Sequence, residues 1–353
     1  MLSISAPKYT IYFNENGYVE LNNLLLKNNY SGIFILTDEN TNEHCLPKLL
    51  ANLATEIPIE IIEIEAGESH KNMHTCSEIW SILSDLGADR KSVLINLGGG
   101  VITDLGGFIA STFKRGIDFI NVPTTLLGMV DASIGGKNGV DLGVLKNQIG
   151  TFNEPVLLLI DSEYLATLSN REMVSGLAEM LKHGLIFDKA YWQKFHDISA
   201  IHFNEFDELI YRSIEIKNEI VSQDPTEKGI RKALNFGHTL GHGIESCFLK
   251  TETPLLHGEA IAIGMELEAF ISKEKGLLTE VEYLEIKRTL QSIYNKTTLD
   301  SEMQKNIIEI LIHDKKNEFG TVQFALLNEI GNYKINQTAD NELIMRSFID
   351  YNS

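Results

Sequence analysis

Five short runs in the first half of the chain, GIFILTDEN, IPIEIIEIEAG, SVLINLGGG, DFINVPTT and PVLLLIDSE, are mostly apolar throughout. A strand with one wet face alternates polar and apolar residues, whereas a continuously apolar strand has to be covered on both faces. Segments of helical periodicity lie between the runs, so the arrangement that fits is a parallel sheet with helices on both sides. Such sheets bind ligands beyond the carboxyl ends of their strands. Asp38, Gly98 to Gly100, Thr124 and Thr125 fall at those ends.

After about Ser162 the pattern changes. REMVSGLAEMLKHGLIFD, FDELIYRSIEIKNEIVSQD, HGEAIAIGMELEAFISKEKG and TEVEYLEIKRTLQSIYN have the 3.6-residue period and Gly or Asp stops of helices. One exception, GTVQFALLNEIGNYKIN, reads as a small hairpin. The expected fold class is therefore an α/β domain over residues 1–161 followed by a mainly α-helical domain over 162–353. No low-complexity linker or internal repeat marks the boundary.

Composition narrows the function. A net charge of -19 argues against a nucleic-acid partner or an anionic membrane, either of which needs a basic face. No apolar segment approaches the ~20 residues that span a bilayer, and the N-terminus lacks the basic start and apolar run of a signal peptide. The cysteines Cys45, Cys76 and Cys247 are far apart with no CxxC pair, which disfavours a disulfide framework or a cysteine-rich zinc site. The expected compartment is the cytoplasm.

Against this acidic background, clustered cations and histidines carry more information. NLGGGVITDLGGF, Asn96 to Phe108, places three glycines between a strand and a helix, where backbone N–H groups can meet a phosphate; the bland reading is a tight turn. DASIGGKNGVDLGVLKNQIG, Asp131 to Gly150, carries Lys137 and Lys146 on a glycine-rich backbone, suited to an anion or simply a surface loop. GLAEMLKHG groups Glu179, Lys182 and His183 within one turn, which also describes an ordinary helix-surface pair. ALNFGHTLGHGIES sets His238 and His242 four residues apart on one helix face, with Glu245 further along it. LLHGEA adds His257 at a helix start. Glu179, His238, His242 and His257 are enough ligands for a catalytic zinc with an open position, and spacing leaves open which three bind. Arg115, Lys182, Lys217, Arg231, Lys315 and Lys316 lie near these motifs, as an anionic substrate beside a metal would need.

The blocks GESHK, GGGVITDLGGF, FKRGI, VPTTLLGMVDASIGGKNGV, KNQIGTF, REMVSGLAEMLKHG, LNFGHTLGHGIE, LHGEAIAIGM and DKKN run in order through most of the chain. In them the sequence resembles the 3-dehydroquinate synthase family of NAD-dependent sugar phosphate cyclases. It departs in GGKNG, where many members have GGKTG, and in DLGVLKN, where many have an HPLGKN-like stretch; both keep the lysines. The resemblance implies a Rossmann-like α/β nucleotide-binding domain followed by a helical metal-binding domain. It implies zinc, or cobalt, on Glu179, His238 and His257. It implies an NAD site lined by Asp38, Glu68, Lys71, Gly99, Gly100, Val101, Asp104, Thr124, Thr125, Lys137, Lys146, Thr167 and Leu168. By the same resemblance Asp131, Lys137, Lys146, Asn147, Lys182, Lys217, Arg231, Asn235, His242 and Lys316 (or Lys315) meet a small anionic sugar-phosphate substrate. Arg115 would reach the phosphate, and the family's homodimers can place this arginine in the partner's site.

The implied reaction turns 3-deoxy-D-arabino-heptulosonate 7-phosphate into 3-dehydroquinate and phosphate. It proceeds through transient oxidation by NAD, phosphate elimination, re-reduction and an intramolecular aldol closure, within the shikimate pathway to the aromatic amino acids. His242 would relay the C5 proton. Two other readings share the motifs: a cyclase for a different sugar phosphate, and a metal-dependent polyol dehydrogenase. A non-catalytic sensor of NAD or zinc would not need so many cations.

Overall fold

The computed structural model describes residues 2–143, 145–197, 203–249, 251–313 and 322–353. Lys315 and Lys316 lie outside them. The chain forms two compact units, Met1–Met173 and Val174–Ser353.

The first unit is built on a seven-stranded sheet. Its strands are β1 (Ile4–Ser5), β2 (Thr10–Phe13), β3 (Ile33–Asp38), β4 (Ile59–Ile64), β5 (Val93–Gly98), β6 (Asp118–Pro123) and, after a separate hairpin, β9 (Leu157–Ile160). They are ordered β1-β2-β9-β6-β5-β3-β4 and are parallel except for β1, which pairs antiparallel with β2 at the edge. The five apolar runs are the strands expected. Every residue of β5 is buried and so are the first five of β3, as strands covered on both faces must be. IPIEIIEIE differs: β4 is the opposite edge, and Ile61 is 44% exposed. The chain direction across the sheet reverses between β3 and β5, a crevice flanked by Asp38 and Gly98.

Helices α1 (Asn14–Asn28), α2 (Glu39–His44), α3 (Leu46–Asn52), α4 (Met73–Asp85) and α5 (Gly100–Thr112) belong to this unit. Phe34, Leu36 and Leu94 from the strands pack with Ile79 and Leu83 of α4 and Leu105, Phe108 and Ile109 of α5. Each such side chain contributes roughly 1.5–3 kcal/mol on burial. The glycine pair Gly106–Gly107 of the NLGGGVITDLGGF motif lets α5 approach closely. A Cβ on Gly106 would stand 1.9 Å from Asn96 Oδ1, and one on Gly107 would stand 2.0 Å from Asn138 Oδ1. The lysine-bearing stretch after Asp131 is an ordered antiparallel hairpin, β7 (Lys137–Leu142) with β8 (Leu145–Phe152), and not an irregular loop.

The chain enters the second unit within α6 (Asn170–Phe187). It continues through α7 (Lys189–Gln193), α8 (Phe203–Gln223), α9 (His238–Phe248), α10 (His257–Glu274), α11 (Glu280–Ile293) and α12 (Ser301–His313). The expected hairpin, β10 (Phe324–Glu329) with β11 (Asn332–Gln337), and the final helix α13 (Asn341–Asn352) complete it. Its core joins Leu240 and Ile244 of α9, Ile263 and Leu267 of α10, Ile307 and Leu311 of α12, Leu326 and Phe348. Among the described residues no helix is long and apolar enough to cross a membrane.

Candidate active site

In the second unit three helices converge on the histidines. α9 is preceded by Gly237 as its N-cap, whose φ of 78° is left-handed and favours glycine. A Cβ there would meet Met265 Cγ at 2.4 Å, and one on Gly264 would meet the Gly237 carbonyl oxygen at 2.0 Å. These glycines bring α9 and α10 into backbone contact, setting His238 and His242 beside His257. The buried Glu268 carboxylate holds the start of α9, accepting from the N–H groups of Gly237 (2.7 Å) and Leu240 (3.0 Å). At the start of α10 the Gly258 N–H donates to Ser175 Oγ of α6 at 3.0 Å, one turn before Glu179.

The result is a compact donor set. Ligand nitrogens of His238, His242 and His257 lie within 4.8 Å of one another. Glu179 Oε1 stands 3.4 Å from His238 Nε2 and 3.8 Å from His257 Nε2. Two donors each about 2.0–2.1 Å from a tetrahedral zinc are roughly 3.4 Å apart, close to the spacing of Glu179 Oε1 from His238 and shorter than its spacing from His257, and His242 lies in the same cluster. Glu179 is fully buried, and its other oxygen, Oε2, pairs with the Lys182 ammonium. Lys182 thus lies against the Glu179 carboxylate, as the turn spacing suggested, while His183 Nδ1 lies 2.7 Å from Ser213 Oγ of α8. The His242 ring is centred 5.2 Å from that of His238 and 5.8 Å from that of His257.

Lys182, Lys217 and Arg231 are all buried, a state in which a cation needs hydrogen-bond or charge partners; for Lys182 the partner is Glu179. Lys217 lies on α8. Arg231 and Asn235 lie on the 3-10 turn Ile230–Asn235. Arg231 Nη1 donates to the Pro225 carbonyl at 2.6 Å, and Asn235 Nδ2 donates to Glu227 Oε1 at 2.6 Å. Glu227 and Glu268 escaped the sequence reading. Glu268 had a signal, a carboxylate inside the apolar run AIAIGMELEAF, which has to find donors when buried. Glu227 had none.

In the first unit some of the residues that the resemblance implies for NAD, Asp38, Gly99, Gly100, Thr124 and Thr125, lie at or just beyond strand ends, while Asp104 lies within α5. Gly99 caps α5 without a side-chain hydrogen bond, leaving Gly100 and Val101 in its first turn, a place for a phosphate. A Cβ on Gly99 would stand 2.9 Å from Thr125 Cγ2, so the turn needs glycine to close on the loop after β6. The Thr124 N–H donates to the Gly98 carbonyl at 3.0 Å and the Gly128 N–H to Thr125 Oγ1 at 3.0 Å. Asp131 sits in the π-turn Gly128–Ala132 that follows.

Lys71 is buried, and its ammonium lies 2.7 Å from both Asp104 Oδ2 and Asn147 Oδ1. Burial alone would lower its pKa, but the charges of Asp104 and Glu68 outweigh it and hold Lys71 above the ordinary lysine value. Lys146 Nζ reaches Glu68 Oε1 at 3.3 Å, and Asp141 accepts from the Asn147 N–H at 2.7 Å. Lys137 opens β7. Asp38 caps α2 by accepting from the Thr41 N–H at 2.8 Å. Thr167 closes the turn Ser162–Thr167, with Leu168 at its cap and Thr167 Oγ1 3.8 Å from Cys45 Sγ. Arg115 is exposed in the 3-10 turn Phe113–Arg115 that follows α5, in left-handed backbone, φ 71°.

Residues 61–175 match the family described as 3-dehydroquinate synthase N-terminal, and residues 176–317 match 3-dehydroquinate synthase C-terminal. The chain belongs to the 3-dehydroquinate synthase family. It is therefore an enzyme of the phosphate-eliminating lyases. A 3-dehydroquinate synthase from Parabacteroides distasonis is 40% identical over 334 residues, 94% of each chain. One from Campylobacter hominis is 37% identical over 341 residues, 96% of this chain and 97% of that one. Among solved structures, the 2-epi-5-epi-valiolone synthase of Streptomyces hygroscopicus, with NAD+ and Zn2+ bound, superposes with a TM-score of 0.86 at 27% identity over 99% of this chain and 98% of that one. A 2-deoxy-scyllo-inosose synthase complexed with carbaglucose-6-phosphate, NAD+ and Co2+ gives 0.86 at 23% identity over 99% of both, a likeness of fold. The 3-dehydroquinate synthase family member described here thus has the expected architecture, a parallel α/β unit followed by a helical one.

Proposed function

We propose that the enzyme converts 3-deoxy-D-arabino-heptulosonate 7-phosphate into 3-dehydroquinate and phosphate, with NAD and a zinc or cobalt ion on Glu179, His238 and His257. The observation that carries this reading is the Glu179 Oε1 spacing to two imidazole nitrogens, 3.4 and 3.8 Å, in a chain of this family. When bound, NAD supplies a reversible hydride acceptor and the metal a Lewis acid for the substrate's hydroxyls.

The chain's own residues do the rest. Gly99, Gly100, Val101, Thr124 and Thr125 hold the dinucleotide at the start of α5, with Asp38, Glu68, Lys71, Asp104, Thr167 and Leu168 around it. His242 takes the proton of the C5 hydroxyl on a ring nitrogen and returns it later; its ring beside His238 and His257 supports that role. Lys182, Lys217 and Arg231 bind the substrate's anionic groups through charge-assisted contacts, stronger for being buried. Glu227 fixes the Asn235 amide for a substrate hydroxyl. Asp131, Lys137, Lys146, Asn147 and a lysine of DKK complete the anion-binding set. The exposed Arg115 reaches phosphate from a second copy in a cytoplasmic homodimer.

The test is phosphate release from the heptulosonate phosphate, with and without NAD and a chelator. Release that needs both NAD and metal, with no lasting NADH absorbance, is expected. Stoichiometric NADH would instead mark a polyol dehydrogenase. Release only from glucose 6-phosphate or sedoheptulose 7-phosphate would mark another cyclase.

A further inference from the structure

We propose that Glu245 is a positioning residue for the metal centre, holding the His257 imidazole with its proton on Nδ1 and its Nε2 lone pair turned to Glu179. The inference rests on the reading that Glu179, His238 and His257 bind the metal.

Glu245 lies on α9, seven residues after His238 and three after His242, on the stripe that faces α10. It is 3% exposed, yet its Oε2 stands 3.3 Å from His257 Nδ1. A carboxylate oxygen accepts, so the shared hydrogen sits on Nδ1 and leaves Nε2 as the imidazole's donor to a metal. That nitrogen is the one 3.8 Å from Glu179 Oε1.

His238 is held in the same sense by a different acceptor. Its Nδ1 lies 3.2 Å from the Phe236 carbonyl oxygen, and its Nε2 is the atom 3.4 Å from Glu179. One helix and the residue two before it thus orient both imidazoles, one through a neutral carbonyl and one through a charge. The charged acceptor does more. It makes the His257 ring a stronger donor, and in a buried setting its negative charge adds to that of Glu179 opposite a divalent cation. Because α9 also presents His242, a single rigid element carries a ligand, the orienting carboxylate and the proposed proton relay. A side chain at 245 that could not accept would remove this constraint on the tautomer of His257, at the first turn of α10.

Two measurements test this on the full-length enzyme. First, zinc affinity of the metal-stripped protein is measured by competition with a chromophoric chelator for wild type, Glu245→Gln, Glu245→Ala and His257→Ala. Glutamine keeps an accepting oxygen and nearly the same shape, so about a tenfold loss is expected for Glu245→Gln and about a hundredfold for Glu245→Ala. His257→Ala should lose more than either. Second, long-range 1H–15N spectra of the metal-free enzyme should show His257 as the Nδ1–H tautomer in wild type and as a mixture in Glu245→Ala. If both Glu245 variants bind zinc within twofold of wild type while His257→Ala does not, the positioning role is wrong and the ligand set stands. If His257→Ala itself keeps wild-type affinity, the ligand set is wrong and the inference falls with it. Should Glu245→Ala not fold, the Gln variant and the wild-type tautomer still decide.

Discussion

Gly258→Ala should damage the proposed metal centre without touching a proposed ligand. Gly258 follows His257, and a Cβ at this position would stand 1.8 Å from the Ser175 carbonyl oxygen and 2.5 Å from its carbonyl carbon. An ordinary van der Waals contact is about 3.5 Å, so relief requires the start of α10 to move from α6 by more than about 1 Å. The obstacle is backbone, and no rotamer change removes it. His257 rides on α10 and Glu179 on α6, so the 3.8 Å spacing between His257 Nε2 and Glu179 Oε1 opens by a similar amount. Zinc ligands hold their distances within about 0.2 Å, a fraction of that displacement. The Gly258 N–H bond to Ser175 Oγ is strained as well. Overpacking of this kind costs about 1–3 kcal/mol, a fall in Tm of several degrees for a unit of this size. The assays are thermal unfolding of the metal-free enzyme and zinc competition; affinity should fall at least about tenfold. Wild-type Tm together with wild-type zinc affinity would refute the reasoning. So would rescue by Ser175→Gly, because the clash is not with the serine side chain.

Two further outcomes are expected. Burial raises the Glu266 carboxyl to about 7, against the pull of Lys287, so the folded state holds a proton there that the unfolded chain has released. Its contribution to stability therefore falls as pH rises from about 4.5 through 7, by an amount of order 3 kcal/mol. Glu266→Gln should unfold at a temperature that gains on wild type across that window; a constant difference would dismiss the buried carboxyl as the cause. In the Lys71–Asp104 pair Lys71 is buried and Asp104 partly so; removing one partner of a fully buried ion pair costs about 3–5 kcal/mol, and a smaller loss is expected here. Urea unfolding should show Lys71→Met as destabilised and Lys71→Met/Asp104→Asn as partly recovered, with strict additivity denying the coupling.

Much of this was legible from local pattern. Continuous apolarity marked β3, β5, β6 and β9 as covered strands, and the same rule failed at β4, where Ile61 stays exposed because the strand is an edge. The two-residue strand β1 and the four-residue β2 are too short for periodicity to reveal. The lysine-bearing stretch after Asp131 read as a loop because glycine suggests irregular backbone. In the folded unit Gly139 faces Gly150, where a Cβ on Gly150 would meet the Asn138 carbonyl at 2.4 Å; glycine is there to let two strands approach.

The sequence by itself determined the fold class, the family and the candidate donors, since each depends on residue type and short-range spacing along the chain. Helical period alone put His238, His242 and Glu245 on one stripe and set Lys182 one turn from Glu179. Only tertiary structure decided how these groups are used. Oε1 of Glu179 faces two imidazoles while Oε2 meets Lys182, and Glu245 meets His257 across two helices. Those relations depend on how closely backbones approach at Gly237, Gly258 and Gly264, and closeness of approach is a property of packed elements that no spacing within a single helix encodes.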